Sequence, residues 1–211
     1  MLKEKTCYSC GEKATTKEHV PGKNLFPRPR PSNPALITVP SCTLHNNSFS
    51  KDEEYFLAVF MFSNAGVSDA GSKLWEEKIH RMYKRREAQG LKKNIAGSFK
   101  NIRLQNPSGS FSERIAIEID ESRIKNVIGK IVKGLYFFEY EKKMASSAKL
   151  NIHFLKTSND FQFVEKQIQY LKPGKRSWAG VFRYMHYKTE ENTDSIWLLD
   201  FYGVLHFCIA A

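Results

Sequence analysis

The sequence predicts an α+β fold: a metal-stapled N-terminal module of two short strands and a helix, then further helices, then a mixed or antiparallel C-terminal sheet with two helices packed on it. Three observations carry this. Two pairs of metal-ligand residue types, Cys7-x2-Cys10 and Cys42-x2-His45, bracket a segment with little periodicity that holds five of the eight prolines, from Pro21 to Pro34. Apolar residues then recur at helical spacing, most clearly in Ile124, Val127, Ile128, Ile131, Val132 and Leu135. Toward the C-terminus they alternate instead, as in Leu150, Ile152 and Phe154, which is the pattern of half-buried strands.

Residues 14–20 suit one strand stopped by Pro21, and residues 36–39 suit its partner, stopped by Pro40. Ser50-Lys51-Asp52-Glu53 reads as a capping box, so a helix is expected from there, with Tyr55, Phe56, Val59, Phe60 and Phe62 on its apolar face. Residues 63–72 are small and polar and read as a loop. Leu74, Trp75, Ile79, Met82 and Tyr83 mark another helix, whose Lys78, Arg81 and Arg85 face is either solvated or laid against phosphates. Residues 99–104 and 113–119 should pair as a hairpin across Asn106-Pro107-Ser108-Gly109, and Asp120 should cap the helix of the Ile124 to Leu135 stripe, with Lys125 and Lys133 outside it. A strand through Ile152, a helix through Phe161, Val164, Ile168 and Leu171 ended by Pro173-Gly174, and strands over 181–187 and 195–209, the last turning at Tyr202-Gly203, complete the prediction. The expected division is residues 1–66 for the stapled module and 67–211 for a helical connector and an α+β domain.

The 211 residues suffice for a real core, and 33 basic against 22 acidic residues leave a net charge of +11, which favours a polyanionic partner. No apolar run reaches the roughly twenty residues of a membrane-spanning helix. Met1-Leu2-Lys3-Glu4-Lys5 lacks the apolar stretch of a signal peptide. A cytoplasmic protein with no membrane partner is therefore expected. In that compartment cysteines read as thiolates for a metal rather than as disulfides, and three of the four lie within the first 42 residues.

Each short spacer lets two side chains reach one ion from a tight turn, so Cys7, Cys10, Cys42 and His45 fit a closed Cys3His tetrahedron of the kind zinc takes. Metal binding to a proline-rich segment that buries little would itself be folding free energy. Between the pairs stands Glu18-His19. A neutral imidazole can take a proton from water, and an adjacent carboxylate can hold a hard divalent cation over a phosphate. Strand alternation sends neighbouring side chains to opposite faces, so both can serve one site only where the strand twists or ends, and Pro21 supplies an ending.

The succession Cys7-x2-Cys10, Glu18-His19-Val20-Pro21, Asn33 ahead of Leu36-Ile37-Thr38-Val39-Pro40, and Cys42-x2-His45-Asn46 resembles the HNH endonuclease family. Its ββα-metal motif is two strands and a helix folded over one catalytic metal, buttressed in many members by a zinc. The whole run from Cys7 to Phe56, including Leu25-Phe26-Pro27-Arg28-Pro29-Arg30-Pro31-Ser32-Asn33 and Ser50-Lys51-Asp52-Glu53-Glu54-Tyr55-Phe56, is similar to bacterial proteins described as HNH nucleases. Beyond it, Lys133-Gly134-Leu135-Tyr136-Phe137 and Asp200-Phe201-Tyr202-Gly203 extend the likeness without an assigned role.

The resemblance implies that His19 is the general base, that Glu18 binds the catalytic metal, that Asn33 fastens the inter-strand loop and orients the histidine, and that Asn46 is the second metal ligand, with Asn47 competing for that place. The sequence departs from the pattern in three ways. His45 replaces the more usual cysteine, Pro34-Ala35 lengthens the gap after Asn33, and the capping box at Ser50 conflicts with a helix already under way at Asn46. Either one helix passes through Ser50 or a short turn separates two.

One carboxylate and one amide oxygen would leave Mg²⁺ or Mn²⁺ open positions for phosphate oxygens. The implied activity is metal-dependent hydrolysis of phosphodiester bonds in DNA, duplex DNA first, with Arg28, Arg30 and Lys51 as backbone contacts. Two further readings stand beside it: a zinc-stapled module that binds nucleic acid without cutting it, and an RNase that uses the same site. Residues 67–211 are expected to contact DNA or to form a homodimer, and bacterial defence is the setting that the resemblance suggests.

Overall fold

In the computed structural model of the protein, the described residues are 5–64, 69–79, 84, 89–189 and 194–211. Strands β1 (Thr16–His19) and β2 (Thr38–Ser41) pair antiparallel, with Glu18 opposite Val39 and His19 opposite Thr38. The second strand starts later than the sequence predicts and runs through Pro40, which was expected to stop it. In a two-stranded sheet each strand is an edge, where a proline's missing donor is tolerated. The Pro40 carbonyl accepts from the Tyr8 amide at 2.9 Å.

Two helices follow, α1 (Thr43–Asn47) and α2 (Ser50–Asn64), separated by a turn at Ser48 and Phe49. This decides between the two arrangements open at the sequence level. The capping box is not formed as expected: Ser50 is already inside α2, and the Glu53 carboxylate does not reach back to it. Glu53 accepts instead from Lys130 at 2.6 Å, a charge-assisted bond to a buried ammonium that outweighs a local cap.

Residues 69–72, read as loop, are helical in α3 (Asp69–Leu74), which continues as a π-helical turn over Trp75–Ile79. The burial of Leu74 and Gly71 supplies what their small polar neighbours lack. Arg81, Met82, Tyr83 and Arg85 lie outside the described residues, as does the expected boundary at residue 66. Helix α4 (Gln89–Ser98) was not anticipated; Ile95 is its buried residue. The hairpin of β3 (Phe99–Gln105) and β4 (Phe111–Ile117) turns where predicted, with Gly109 at φ 82° donating to the Asn106 carbonyl at 2.8 Å.

Helix α5 (Glu121–Tyr140) begins as foreseen, its Arg123 amide donating to the Asp120 side chain at 3.3 Å, and it buries the predicted stripe. Beyond it come β5 (Asn151–Leu155), α6 (Ser158–Ile168), β6 (Lys172–Pro173), β7 (Phe182–Lys188), β8 (Ser195–Phe201) and β9 (Leu205–Ala210). The five strands form one antiparallel sheet in the order β5-β9-β8-β7-β6. Pro173, expected to end a helix, lies in the short edge strand β6, and α6 stops at Ile168. The turn between β8 and β9 is at Tyr202 and Gly203, both in the left-handed region at φ 59° and 73°.

One sheet face, with Phe182, Tyr184, Trp197, Leu199, Phe201 and Phe207, packs on α5 through Tyr136 and on α2 through Phe56. The other face carries α6, whose Phe161 meets the edge of His206. The same hydrophobic cluster takes in Cys7, Tyr8, Val20, Phe26 and Ile37, so the N-terminal segment and the C-terminal sheet share one core.

Helix α5 approaches the N-terminal segment closely at Gly134, where an added Cβ would stand 2.5 Å from Val20 Cγ2. Ordinarily, glycine to alanine in a helix gains about 1 kcal/mol of propensity. Overpacking here should reverse the sign, and Gly134→Ala is expected to lose about 1–3 kcal/mol in urea unfolding. In a Val20→Ala background the same substitution should be neutral or stabilising.

Candidate functional site

The first cluster forms where two tight turns meet. After Cys7 the chain reverses, the Gly11 amide donating to the Cys7 carbonyl at 3.0 Å with Gly11 at φ 86°. Cys42 stands at the N-terminus of α1, in extended geometry, so His45 falls one helical turn later on the same side. The ligand atoms of Cys7, Cys10, Cys42 and His45 all lie within 4.8 Å of one another. Cys42 Sγ is 3.1 Å from His45 Nδ1 and 4.0 Å from Cys10 Sγ. A tetrahedral site with sulfur and nitrogen ligands has edges of about 3.5–3.8 Å, so the cluster is of the size that a metal ion needs. Burial pushes the Cys7 thiol up, yet backbone amides of Cys10, Ser9 and Cys42 directed at its sulfur outweigh this and hold it at about 7, closer to the thiolate a metal requires.

The second group lies on β1. Alternation puts Thr16 and Glu18 on one face and His19 on the other, and His19 is the last residue of the strand, followed by the Val20-Pro21 turn. Glu18 is buried, 6% exposed. Its Oε1 is 3.3 Å from Lys130 Nζ, and its Oε2 is buried with no hydrogen-bond partner among the described residues. Burial pushes this carboxyl up to about 7; Lys130 pulls it down, and the nearby charge of Glu53 pushes it up again.

His19 is half-buried. Burial lowers its imidazole below the ordinary value, and the charges of Lys23 and Arg30 lower it further, so the ring is neutral at pH 7. Asn46 turns back onto β1, donating from Nδ2 to Thr16 Oγ1 at 3.2 Å, whereas Asn47 is exposed. Of the two asparagines, Asn46 is the one directed at the strand that carries Glu18.

The remaining predicted residues are spread around this centre. Asn33 is exposed on the turn closed by the Ser32 to Ala35 bridge. Arg28 is exposed, with its backbone amide on Glu77 Oε2 at 2.8 Å. Arg30 Nε donates to the Lys23 carbonyl at 3.2 Å, which holds its guanidinium on the side of the loop where His19 lies. Lys51 is exposed at the start of α2, and its carbonyl accepts from Arg123 Nη2 at 2.6 Å.

Sequence reasoning missed Lys130 and Glu53. Lys130 was legible in principle: it lies three residues after Val127 and four before Gly134, within the apolar stripe of α5, where a lysine must find a buried carboxylate. Glu53 was assigned to the helix cap, and nothing local points it elsewhere. No protein-family model, curated protein or solved structure matches the chain.

Metal analysis of the purified chain should find an ion held by the Cys3His cluster. Cys42→Ser should lose that ion and at least about 4 kcal/mol of stability, the scale on which loss of a structural metal acts. For a chain of this size that corresponds to a Tm lower by roughly 8–16 °C in calorimetry.

Proposed function

We propose that the protein is an HNH-type, metal-dependent endonuclease that hydrolyses phosphodiester bonds in duplex DNA in the cytoplasm. The observation that supports this reading is a half-buried His19 of lowered basicity at the end of β1, next in sequence to a buried carboxyl group with an orphaned oxygen, with Asn46 directed back at the same strand. The resemblance of Cys7 to Phe56 to the HNH nucleases supports it, as does the net charge of +11. Among the described residues no helix is long and apolar enough to cross a membrane.

The donor chemistry suits two different ions. Cys7, Cys10, Cys42 and His45 are the soft set that zinc takes in closed structural sites. Glu18 and Asn46 offer hard oxygens, and the unpartnered Oε2 of Glu18 is the kind of acceptor a cation satisfies. When bound there, Mg²⁺ or Mn²⁺ would neutralise charge building on the phosphate in the transition state.

The chain's own residues do the rest. His19 takes the proton from the attacking water, and its lowered basicity keeps it free to do so at neutral pH. A zinc held by Cys7, Cys10, Cys42 and His45 would join the residues ahead of β1 to the start of α1 and so keep Glu18 and Asn46 in register. Arg30 and Lys23, whose charges act on His19, bring positive charge to the side from which a phosphate would approach; Arg28 and Lys51 extend it.

The ion pair of Glu18 with Lys130 favours a second reading, a zinc-stapled module that holds nucleic acid without cutting it, since the carboxylate is already partnered. Plasmid nicking in Mg²⁺ or Mn²⁺ separates the two. The wild type should convert supercoiled DNA, and His19→Ala should lower the rate by about 10²–10⁴-fold, the range of a general base. Asn46→Ala should also impair it. Equal conversion by wild type and His19→Ala, or none by either, would overturn the catalytic reading. Added RNA cleaved in preference to DNA would reassign the substrate.

A further inference from the structure

We infer that Glu53 is a second carboxylate of the divalent-cation site and that Lys130 is the site's built-in counter-ion, holding the two carboxylates together and competing with the cation for them. The inference rests on the reading of Glu18 as a metal ligand.

Three elements meet at this point. Glu18 comes from β1, Glu53 from the first turn of α2 and Lys130 from the middle of α5. The Lys130 side chain is only 4% exposed, with Nζ 2.6 Å from Glu53 Oε1 and 3.3 Å from Glu18 Oε1. The other oxygen of Glu53 lies beside Gly22, where an added Cβ would stand 3.5 Å from it, in the loop that leaves His19. Glu53 thus borders the turn that follows the proposed base, and Lys130 joins it to Glu18.

The charges do not balance as a structural ion pair would. Two carboxyl groups share one ammonium, and without a cation the surplus is met by a proton, since burial and the charge of Glu53 raise the affinity of Glu18 for one. Glu18 also keeps an oxygen with no partner among the described residues, at a cost of about 1–3 kcal/mol. A divalent cation engages both features at once. It takes the place of that proton and leaves the site with one net positive charge, the sign that a singly charged phosphodiester needs beside it. Lys130 is then a positioning residue: without a cation it keeps two like charges from separating, and with one it opposes over-tight binding.

The test is Mn²⁺ binding to the full-length, zinc-loaded protein, followed by the electron paramagnetic resonance signal of free Mn²⁺, with thermal melting of every variant. Glu53→Gln leaves one carboxylate for one ammonium and should fold; it should bind Mn²⁺ about tenfold or more weakly. Lys130→Met and Lys130→Gln should bind Mn²⁺ more tightly than the wild type by a similar factor, because the competing ammonium is gone. Wild-type affinity in folded Glu53→Gln would overturn the inference, as would unchanged or weaker binding in a folded Lys130 variant. Should neither Lys130 variant melt cooperatively, Glu53→Gln decides alone. Glu18→Gln separates this from the parent reading. If it binds like the wild type, Glu18 is not a ligand and both fall. Loss of binding in Glu18→Gln with no change in Glu53→Gln overturns the role of Glu53 only.

Discussion

An ammonium can be buried in a protein only where carboxylates meet it, and the Lys130 centre sets how the rest of this molecule assembles. Its position on α5 forces that helix against both β1 and α2. The contact is extended along α5 at intervals of three and four residues. Arg123 Nε pairs with Asp52 Oδ1 at 2.8 Å and lies over the Tyr55 ring, Asn126 donates to Asp52 Oδ2 at 3.0 Å, and Gly134 closes on Val20. Beyond that point Tyr136 carries the same helix onto Trp197 of the sheet. A polar seam at one end and an apolar one at the other thus place α5 between the N-terminal segment and the C-terminal sheet.

The loop between β1 and β2 has almost no regular structure, so its carbonyls must find partners elsewhere. They find them on the C-terminal half. The Tyr202 hydroxyl donates to the Leu25 carbonyl, Trp178 Nε1 to that of Pro34 at 2.9 Å, and Arg176 Nη1 to that of Ala35 at 2.8 Å. Phe26 is fully buried, its ring edge-on to Trp178 at 5.2 Å. The proline-rich composition suggests a segment that a metal alone must fold. In the structure the sheet supplies a second anchor, and the unassigned Asp200-Phe201-Tyr202-Gly203 run acquires a physical task. The left-handed turn at Tyr202 and Gly203 presents the tyrosine to the loop, and Asp200 holds the turn by accepting from the Gly203 amide at 2.8 Å.

The two halves of the candidate site differ in how they depend on this assembly. The Cys3His cluster is built from turns close in sequence to its ligands and brought together by one short strand pair. The Glu18 and His19 centre depends on distant contacts. Around Glu18 the charges come from Lys130 of α5 and Glu53 of α2, and around His19 they come from Lys23 and Arg30 of the loop that follows it. An environment made by the whole fold governs their protonation, which no inspection of the Glu-His dipeptide reveals.

Local periodicity and spacing by themselves determined a good deal. The α+β class, the Cys7, Cys10, Cys42 and His45 cluster, the β3 to β4 hairpin, the Asp120 cap and core stripe of α5, and the turn at Tyr202 and Gly203 all follow from short-range steric and hydrogen-bonding rules. These rules act over a few residues and can be read from a few residues. Other features were decided only by tertiary structure. Pro40 could lie inside a strand because that strand has a free edge, residues 69–72 became helical through the burial of Gly71 and Leu74, and Glu53 left its cap for Lys130. For Glu53 a partner 77 residues away outweighed a local cap worth about 1 kcal/mol, and for the other two segments the surroundings that the fold supplies, not the neighbouring residues, admit the element.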